Sequence, residues 1–281
     1  MSSRFAIVTD STADLGPLAK ANDIQVVPLT IRFGNQEFRD GVDLSSAEFY
    51  EKLKTSQQPP ITAQPAPATF VETYRALLDG GAERILSLHI SAALSGTYNA
   101  ASIAAAMVDS RRISVVDTRS VSAAIAMLAI DARRRFNEGA HFDDVEAVVR
   151  ADIPHIELFA TIPNLTFLAR GGRIGGLRGM VGNVLKIVPI LMVKDGEVTE
   201  HAKVRTFARA VDLLVQTAIE RIPVKGRARV AVLHSVAPDL AASISERVRT
   251  ATEPVFEITC DIGPTVGTHA GAGAVGVCFI P

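Results

Sequence analysis

The sequence contains few of the residues on which several protein classes depend. Its 281 residues include no Trp, three Tyr and two Cys, and the formal net charge is -1. So few aromatic residues make a poor base-stacking surface, and the balanced charge provides no general basic field for nucleic acid or an anionic membrane. Cys260 and Cys278 are too few for a disulfide framework. We therefore expect neither a nucleic-acid-binding protein nor a disulfide-rich secreted domain.

Long apolar runs are also missing. No uninterrupted run approaches the roughly 20 residues that span a bilayer, and Asp10, Asp14 and Lys20 interrupt any signal-peptide core in the first thirty residues. We expect a cytoplasmic protein with no integral membrane segment. The composition, 48% hydrophobic and 21% charged, is typical of a globular protein, and the length suits two domains.

The first half of the chain alternates apolar, β-branched runs with helical patterns. Phe5–Thr9, Arg84–Ile90 and Ile113–Val116 predict buried strands, and 96–108 and 121–137 predict helices. A capping box at Ser45–Glu48 starts another helix, and the proline-rich segment 55–65 predicts an extended loop. This alternation indicates an α/β domain over residues 1–153, a parallel sheet with helices on both faces in three layers.

The pattern changes after residue 153. Asp195-Gly196 separates two strand-like runs and predicts a hairpin, Thr206 begins an amphipathic helix, and the run 275–280 predicts a final strand. Hairpins mixed with helices favour a smaller, two-layer α/β domain over residues 154–281.

Two glycine-rich segments suggest nucleotide or phosphate sites and fit them poorly. Gly271–Gly276 matches G-x-G-x-x-G, but the chain leaves no room for the helix and acidic residue that should follow. Arg170–Gly176 is basic but lacks the ending of a P-loop. The six His form no metal-binding pattern, so we expect no metal and no cofactor.

Three polar residues stand out as candidates for a site, each with a structural alternative. Ser95 lies between a predicted strand and helix; it could cap the helix, or help the backbone N–H groups at Gly96 hold an anion, but its surroundings do not match a nucleophile elbow. Thr62 lies in the proline-rich loop and His269 between glycines. On local sequence alone, both also fit ordinary structural roles.

Eight segments in register resemble the DegV family over nearly the whole chain. They are Val8–Asp14, Ile61–Pro65, Ser95–Thr97, Val116–Val121, Gly171–Ile174, Lys186–Ile190, Lys203–Thr206 and Ile262–His269. The resemblance implies a parallel α/β domain followed by a smaller α/β domain with a mixed sheet. It also implies a non-catalytic protein that binds one long-chain fatty acid and presents it to a separate, ATP-dependent fatty-acid kinase, which makes the acyl phosphate.

The family pattern implies the head-group residues. Thr62 and Ser95 would hold the carboxylate, His269 would be a further polar partner, and Arg170 would lie near this network. The chain departs from the pattern after Thr62, where Ala63-Gln-Pro-Ala66 replaces the family's Ser-Gln-Pro-Ser. A supporting hydroxyl is therefore absent.

A buried acyl tail is energetically reasonable. A sixteen-carbon chain contributes roughly 11 kcal/mol of transfer free energy before ordering costs. Its walls would come from apolar residues of the second half that equally suit an ordinary core, namely Phe159, Leu165, Phe167, Leu168, Val184, Ile187, Ile190 and Leu191.

Arg173, Lys203 and Arg205 cluster in glycine-rich or strand-end segments, and we expect them to form an exposed docking patch for the kinase. Two alternatives remain open at this point. One is an enzyme, a hydrolase or phosphotransferase that uses Ser95 and His269; the other is a carrier of a different apolar anion.

Overall fold

The computed structural model describes residues 5–175 and 187–281. Within these ranges the strands form three sheets. The first is parallel, in the order β2-β1-β6-β7, and consists of β1 (Phe5–Asp10), β2 (Ile24–Val27), β6 (Arg84–His89) and β7 (Ile113–Asp117). The predicted alternation of strands and helices is confirmed.

Helices cover both faces of this parallel sheet. Side chains alternate along β1, so that Val8 packs with α3 (Pro67–Asp79) and α4 (Thr97–Val108), while Ile7 packs with α5 (Ala123–Asn137) on the opposite face. The other helices of this half are α1 (Pro17–Ala21), α2 (Ser46–Thr55) and α6 (Phe142–Asp152). The result is the predicted arrangement of three layers.

A small antiparallel sheet lies beside the first. It joins β3 (Thr30–Phe33), β4 (Gln36–Arg39) and β5 (Ile61–Ala63) in the order β4-β3-β5. The prediction that 55–65 is loop throughout was wrong, because β5 pairs with β3 and Thr62 lies opposite Ile31. The prolines that suggested a loop flank these three residues, so they leave the N–H groups of β5 available for pairing.

The second large sheet is mixed and has the order β10-β9-β8-β13-β11-β12. Its strands are β8 (Glu157–Thr161), β9 (Val188–Lys194), β10 (Glu197–Val204), β11 (Arg229–His234), β12 (Phe256–Asp261) and β13 (Val275–Ile280). Asp195 and Gly196, both with positive φ, form the predicted turn between β9 and β10. Helices α8 (Phe207–Arg221) and α9 (Pro238–Thr252) cover one face of this sheet.

The opposite face of the mixed sheet packs against α5. One continuous core joins Ile7 of β1 and Met127 of α5 to Leu233 of β11 and Cys278 of β13. The fold class is therefore confirmed as α/β, with one parallel and one mixed sheet. The boundary between residues 153 and 154 remains a prediction, and it falls within the short 3-10 helix Ile153–His155.

Two short helices complete the described chain. They are α7 (Thr166–Arg170), which follows β8, and α10 (Pro264–Ala270), which follows β12. Gly271 and Gly273 then form a tight turn into β13, as the loop interpretation of Gly271–Gly276 predicts. Among the helices described, none has the length and apolar character required to cross a bilayer.

Candidate functional site

A cavity lies between the carboxyl ends of the parallel strands and the face of the mixed sheet that packs toward α5. The cavity has a volume of about 130 Å³, room for several waters. Its apolar walls consist of Leu29, Ile90, Leu94, Val121, Leu158, Ala160, Ile162, Leu168, Leu191, Met192, Val193, Val198, Leu233, Ile262, Val266, Ala270, Ala274 and Val275. Such a lining suits an apolar ligand with few polar groups.

The cavity extends across most of the mixed sheet. Val198 on β10 and Leu233 on β11 both line it, and these strands are separated by four inter-strand steps. At about 4.8 Å per step, the lined face is roughly 19 Å wide. With C–C bonds of about 1.5 Å, an extended sixteen-carbon chain also measures roughly 19 Å.

Strand alternation decides which of the predicted wall residues reach the cavity. Leu168 and Leu191 line it, whereas Phe159 and Ile190 were wrong as wall residues because their side chains point to the opposite face and pack with α8 and α9. The neighbours Leu158, Ala160 and Leu191 take the inward positions instead.

The other predicted wall residues also differ from the prediction. Leu165 and Phe167 are half-buried and not part of the lining, Ile187 is exposed, and Val184 lies outside the described residues. The parallel domain supplies walls that the prediction omitted, among them Ile90 and Leu94 after β6. The prediction placed the whole cavity in the second half, and that part of it was wrong.

Thr62 and His269 meet at one part of the cavity wall. Thr62 Oγ1 lies 3.2 Å from His269 Nε2, although 207 positions separate the two residues in sequence. Burial, aided by the charge of Arg173, lowers the pKa of His269 to about 4, so the ring is neutral at pH 7. Its Nδ1 is buried and makes no hydrogen bond within the described residues. A neutral imidazole and a hydroxyl therefore face an apolar space.

Ser95 lines the same cavity just before α4, whereas Gly96, which was also predicted to hold the ligand, does not line it. Ser95 does not cap this helix through the usual N2 or N3 amide: Gly96 occupies the cap position, and the Ser95 hydroxyl bonds to Thr97 Oγ1 at 2.9 Å. A methyl group on Gly96 would overlap the Gln64 side chain, so the segment after Thr62 packs directly on the start of α4. This contact brings the Thr62 and Ser95 segments together.

The arginine at this site is Arg173 rather than Arg170. Arg173 lines the cavity, and its guanidinium donates to Leu94 O at 3.1 Å and to Gly171 O at 2.8 Å. Arg170, the predicted head-group residue, is exposed at the end of α7 and does not line the cavity. The two arginines are three positions apart in a glycine-rich segment, and sequence alone could not decide which of them faces the site.

Lys203 and Arg205 are exposed, but they do not cluster with Arg173. Gly175, two residues after Arg173, contacts Val198 of β10. Lys203 lies five residues further along that strand, a distance of roughly 17 Å. Lys203 also pairs with Glu200 at 3.1 Å. Any docking surface that includes all three cations is therefore elongated.

A buried hydrogen-bonded chain that the sequence did not reveal lies beneath the parallel-sheet side of the cavity. Tyr74 bonds to Ser87 at 2.8 Å, Ser87 to His89 Nε2 at 2.7 Å, and His89 Nδ1 to Asp10 at 2.9 Å. The order of groups is that of a hydrolytic triad. Ser87, however, is fully buried, is occupied by Tyr74 and does not line the cavity. This chain holds strands β1 and β6 together and offers no nucleophile to a ligand.

The described residues contain no group of three or more His, Cys, Asp or Glu placed to hold a metal ion. Among these residues Ser95 has no base in hydrogen-bond contact, because its hydroxyl bonds to Thr97 and the imidazole of His269 bonds to Thr62. A serine nucleophile normally requires such a contact.

Comparison with known proteins agrees with this architecture. The family model described as "Uncharacterised protein, DegV family" matches residues 4–281. A DegV domain-containing protein of Halalkalibacterium halodurans is 36% identical, and the match covers 98% of each chain. A structure described as fatty acid binding of a DegV family protein from Thermus thermophilus superposes with a TM-score of 0.92 at 30% identity over 99% of each chain. DegV of Bacillus subtilis, described as a fatty acid binding protein, gives a TM-score of 0.88 at 27% identity over 98% of each chain. This chain belongs to the DegV family.

Proposed function

We propose that this chain binds one long-chain fatty acid, with the tail in the cavity between the sheets and the carboxylate at Thr62, Ser95 and His269. The observation that carries the proposal is the cavity itself, an apolar space about 19 Å wide with neutral polar side chains on one wall. The Thermus thermophilus and Bacillus subtilis relatives, both described as fatty-acid-binding, support the same ligand class.

The polar wall suits a carboxylate. A carboxylate removed from water needs hydrogen-bond donors, or it takes up a proton. The hydroxyls of Thr62 and Ser95 and an imidazole N–H of His269 can provide donors without burying a second charge. Arg173 adds a positive charge beside this group.

We favour the hypothesis that the protein binds the acid without catalysing a reaction. Over residues 5–175 and 187–281, Ser95 has no hydrogen-bonded base, and Ser87 is fully buried. We further propose that the bound acid is presented to a separate fatty-acid kinase, as the family resemblance implies. Of the two alternatives, a carrier of another apolar anion would use the same cavity, so the identity of the bound molecule decides between them.

The direct experiment is to purify the protein, extract it with organic solvent and identify the extract by mass spectrometry. We expect one fatty acid of about sixteen to eighteen carbons per chain, from the width of the lined face. Delipidated protein should then bind palmitate in a calorimetric titration. A different lipid class in the extract, together with no palmitate binding, would refute the proposal.

Removing both predicted hydroxyls tests the head-group assignment. Thr62→Val with Ser95→Ala should weaken palmitate binding by about a hundredfold, since each lost bond to a charged group costs on the order of 1.5 kcal/mol. Ser102→Ala is the matched control, because that hydroxyl bonds to Tyr98 O within α4, away from the cavity. Equal affinities of the double variant and the control would remove Thr62 and Ser95 from the site.

The kinase surface needs a separate test. Lys203→Glu with Arg205→Glu should impair phosphorylation of the bound acid by the kinase and leave palmitate affinity unchanged, because neither residue lines the cavity. Arg173→Glu should reduce both, because Arg173 does line it. Normal phosphorylation of the Lys203 and Arg205 variant would refute the proposed patch.

A further inference from the structure

One row of paired residues crosses the mixed sheet and forms part of the cavity floor. Leu191 of β9 pairs with Ala160 of β8, which pairs with Gly276 of β13. Gly276 in turn pairs with Leu233 of β11, and Leu233 pairs with Cys260 of β12. Directly paired residues point to the same face of a sheet. The whole row therefore lies on the face that packs toward α5.

The proposed carboxylate site lies near the β10 edge of this sheet. Ser95 and Arg173, which line the cavity, also line a neighbouring surface groove together with Val198 of β10. Strand β10 is one edge of the sheet, and β11 is four inter-strand steps away. The row therefore runs away from the head group, from Leu191 on β9 to Leu233 on β11.

Leu233 is the last side chain of the row that reaches the cavity. Its neighbour Cys260 is 1% exposed and belongs to the core rather than to the lining. Helix α5 packs on β11 and β12 at this end, so the floor does not continue past Leu233. Ile262, which follows β12, lines the cavity beside it and donates its backbone N–H to His234 O at 2.7 Å. Among the described residues, Leu233 and Ile262 therefore form the far end of the cavity floor.

The Leu233 side chain leans back over the middle of the row. Gly276 has no side chain, and a Cβ atom built on it would lie 3.1 Å from Leu233 Cδ2 and 3.1 Å from Ala160 Cβ. Leu233 therefore covers the backbone of Gly276. Because Ala160 and Gly276 are small, the floor is low at this point, and Leu233 is the first large side chain that a tail crossing them along the row meets.

A large side chain at the end of an apolar cavity limits the length of the tail that fits. Protein interiors are close-packed, and an extra methylene in a filled space costs free energy because side chains must move. We infer that Leu233 sets the upper limit on the length of the bound acyl chain, with the terminal methyl group of the tail against its side chain. The inference rests on the proposed fatty-acid function and deepens it, because it names the residue that selects among chain lengths.

The first measurement uses the wild-type protein. Saturated acids from laurate to behenate, including the odd-numbered members, are titrated into delipidated protein in competition with a fluorescent fatty acid. Affinity should rise about fourfold with each added methylene group while the tail still has room. It should then fall, with the optimum at about sixteen to eighteen carbons, the length that matches the width of the lined face.

Shortening Leu233 should move this optimum. Leu233→Ala removes about three carbons of side chain and should shift the optimum to acids longer by about three carbons. Leu233→Val, which costs less stability, should shift it by about one carbon, so the test does not depend on folding of the alanine variant. Leu191→Ala is the matched control, because it enlarges the same row on the head-group side. It should weaken binding of all the acids by about tenfold without moving the optimum.

The outcomes separate the length limit from the proposed function. Failure of every acid to bind the wild-type protein would overturn the proposed function. Binding whose affinity still rises through behenate, or an optimum that stays in place in both Leu233 variants, would overturn only the role of Leu233. An equal shift in Leu191→Ala would also overturn that role, because the limit would then depend on the total volume of the cavity rather than on the position of Leu233.

Discussion

The ring of His269 lies directly against the backbone of Gly171, so closely that a methyl group on the Gly171 Cα would overlap His269 Nδ1. Gly171 has φ -71°, a conformation that any residue adopts without strain. Glycine is required at this position because the histidine ring occupies the space that a side chain would fill. The family-like Gly171–Ile174 segment therefore has a physical role, which is to position His269 against Thr62.

Replacing Gly171 tests this relationship. Gly171→Ala should push the imidazole away from Thr62 and weaken palmitate binding by about tenfold, the cost of one lost hydrogen bond to a charged group. A double-mutant cycle with His269→Ala is the control. In the His269→Ala background the alanine has space and should add no further loss; equal losses in both backgrounds would show that Gly171 acts through something other than the ring.

Much of the fold follows from local sequence, and the site does so only in part. The capping box at Ser45, the Asp195-Gly196 turn and the Thr206 cap all form as predicted, because each depends on a few neighbouring residues. The cavity depends on two sheets meeting across α5, which no local pattern encodes. Phe159 and Leu158 are equally apolar in sequence, and only the phase of β8 determines which of them faces a ligand.

Two neighbouring residues on β9 allow a matched test of which side chains face the cavity. Leu191 lines the cavity, whereas Ile190 is fully buried against α8 and α9. Ile190→Ala should lower the free energy of unfolding by about 2–5 kcal/mol and leave palmitate affinity nearly unchanged. Leu191→Ala should cost less stability and weaken binding by about tenfold, because it removes apolar contact with the tail. Chemical denaturation and calorimetry measure the two quantities, and the opposite pattern would reverse the assigned faces.

The buried carboxyl of Asp40 should give the folded protein an unusual dependence on pH. Burial raises the pKa of Asp40 from 3.8 to about 6, and the nearby Asp10 adds to the increase. Between pH 4 and 6 the folded state therefore binds more protons than the unfolded state, so the contribution of Asp40 to stability is lost as pH rises through 6. His269 opposes this trend, because its lowered pKa makes the folded state less stable as pH falls from 6.5 toward 4.

Asp40→Asn should remove the pH dependence of stability that comes from Asp40 and leave the one that comes from His269. The free energy of unfolding of the variant should rise more steeply with pH between 4.5 and 7 than that of the wild type, by on the order of 2 kcal/mol over the window. Urea denaturation at a series of pH values measures it. Asp43→Asn is the control, since Arg39 holds the pKa of exposed Asp43 at about 2, below this window. Parallel curves for Asp40→Asn and the wild type would contradict the prediction.

The turn of the β9–β10 hairpin is fastened to the parallel domain beside the cavity. The buried Ser91 hydroxyl donates to Gly196 O at 2.7 Å, and the exposed pair Arg119–Asp195 is 3.1 Å apart. Because Val193 and Val198 on this hairpin line the cavity, release of the turn would open the space to solvent. The buried hydrogen bond from Ser91 should hold the turn more strongly than the ion pair does, because exposed ion pairs contribute little to stability.

Ser91→Ala should therefore loosen the hairpin, while Arg119→Gln should not. Loss of a buried hydrogen bond that leaves Gly196 O unpaired costs about 1–3 kcal/mol, so amide hydrogen exchange across 188–204 should accelerate by about tenfold in Ser91→Ala. The dissociation rate of bound palmitate should rise by a similar factor, because the ligand leaves through the same opening. Faster exchange without faster dissociation would place the exit elsewhere, and equal effects of both variants would show that the turn is held by charge rather than by the buried bond.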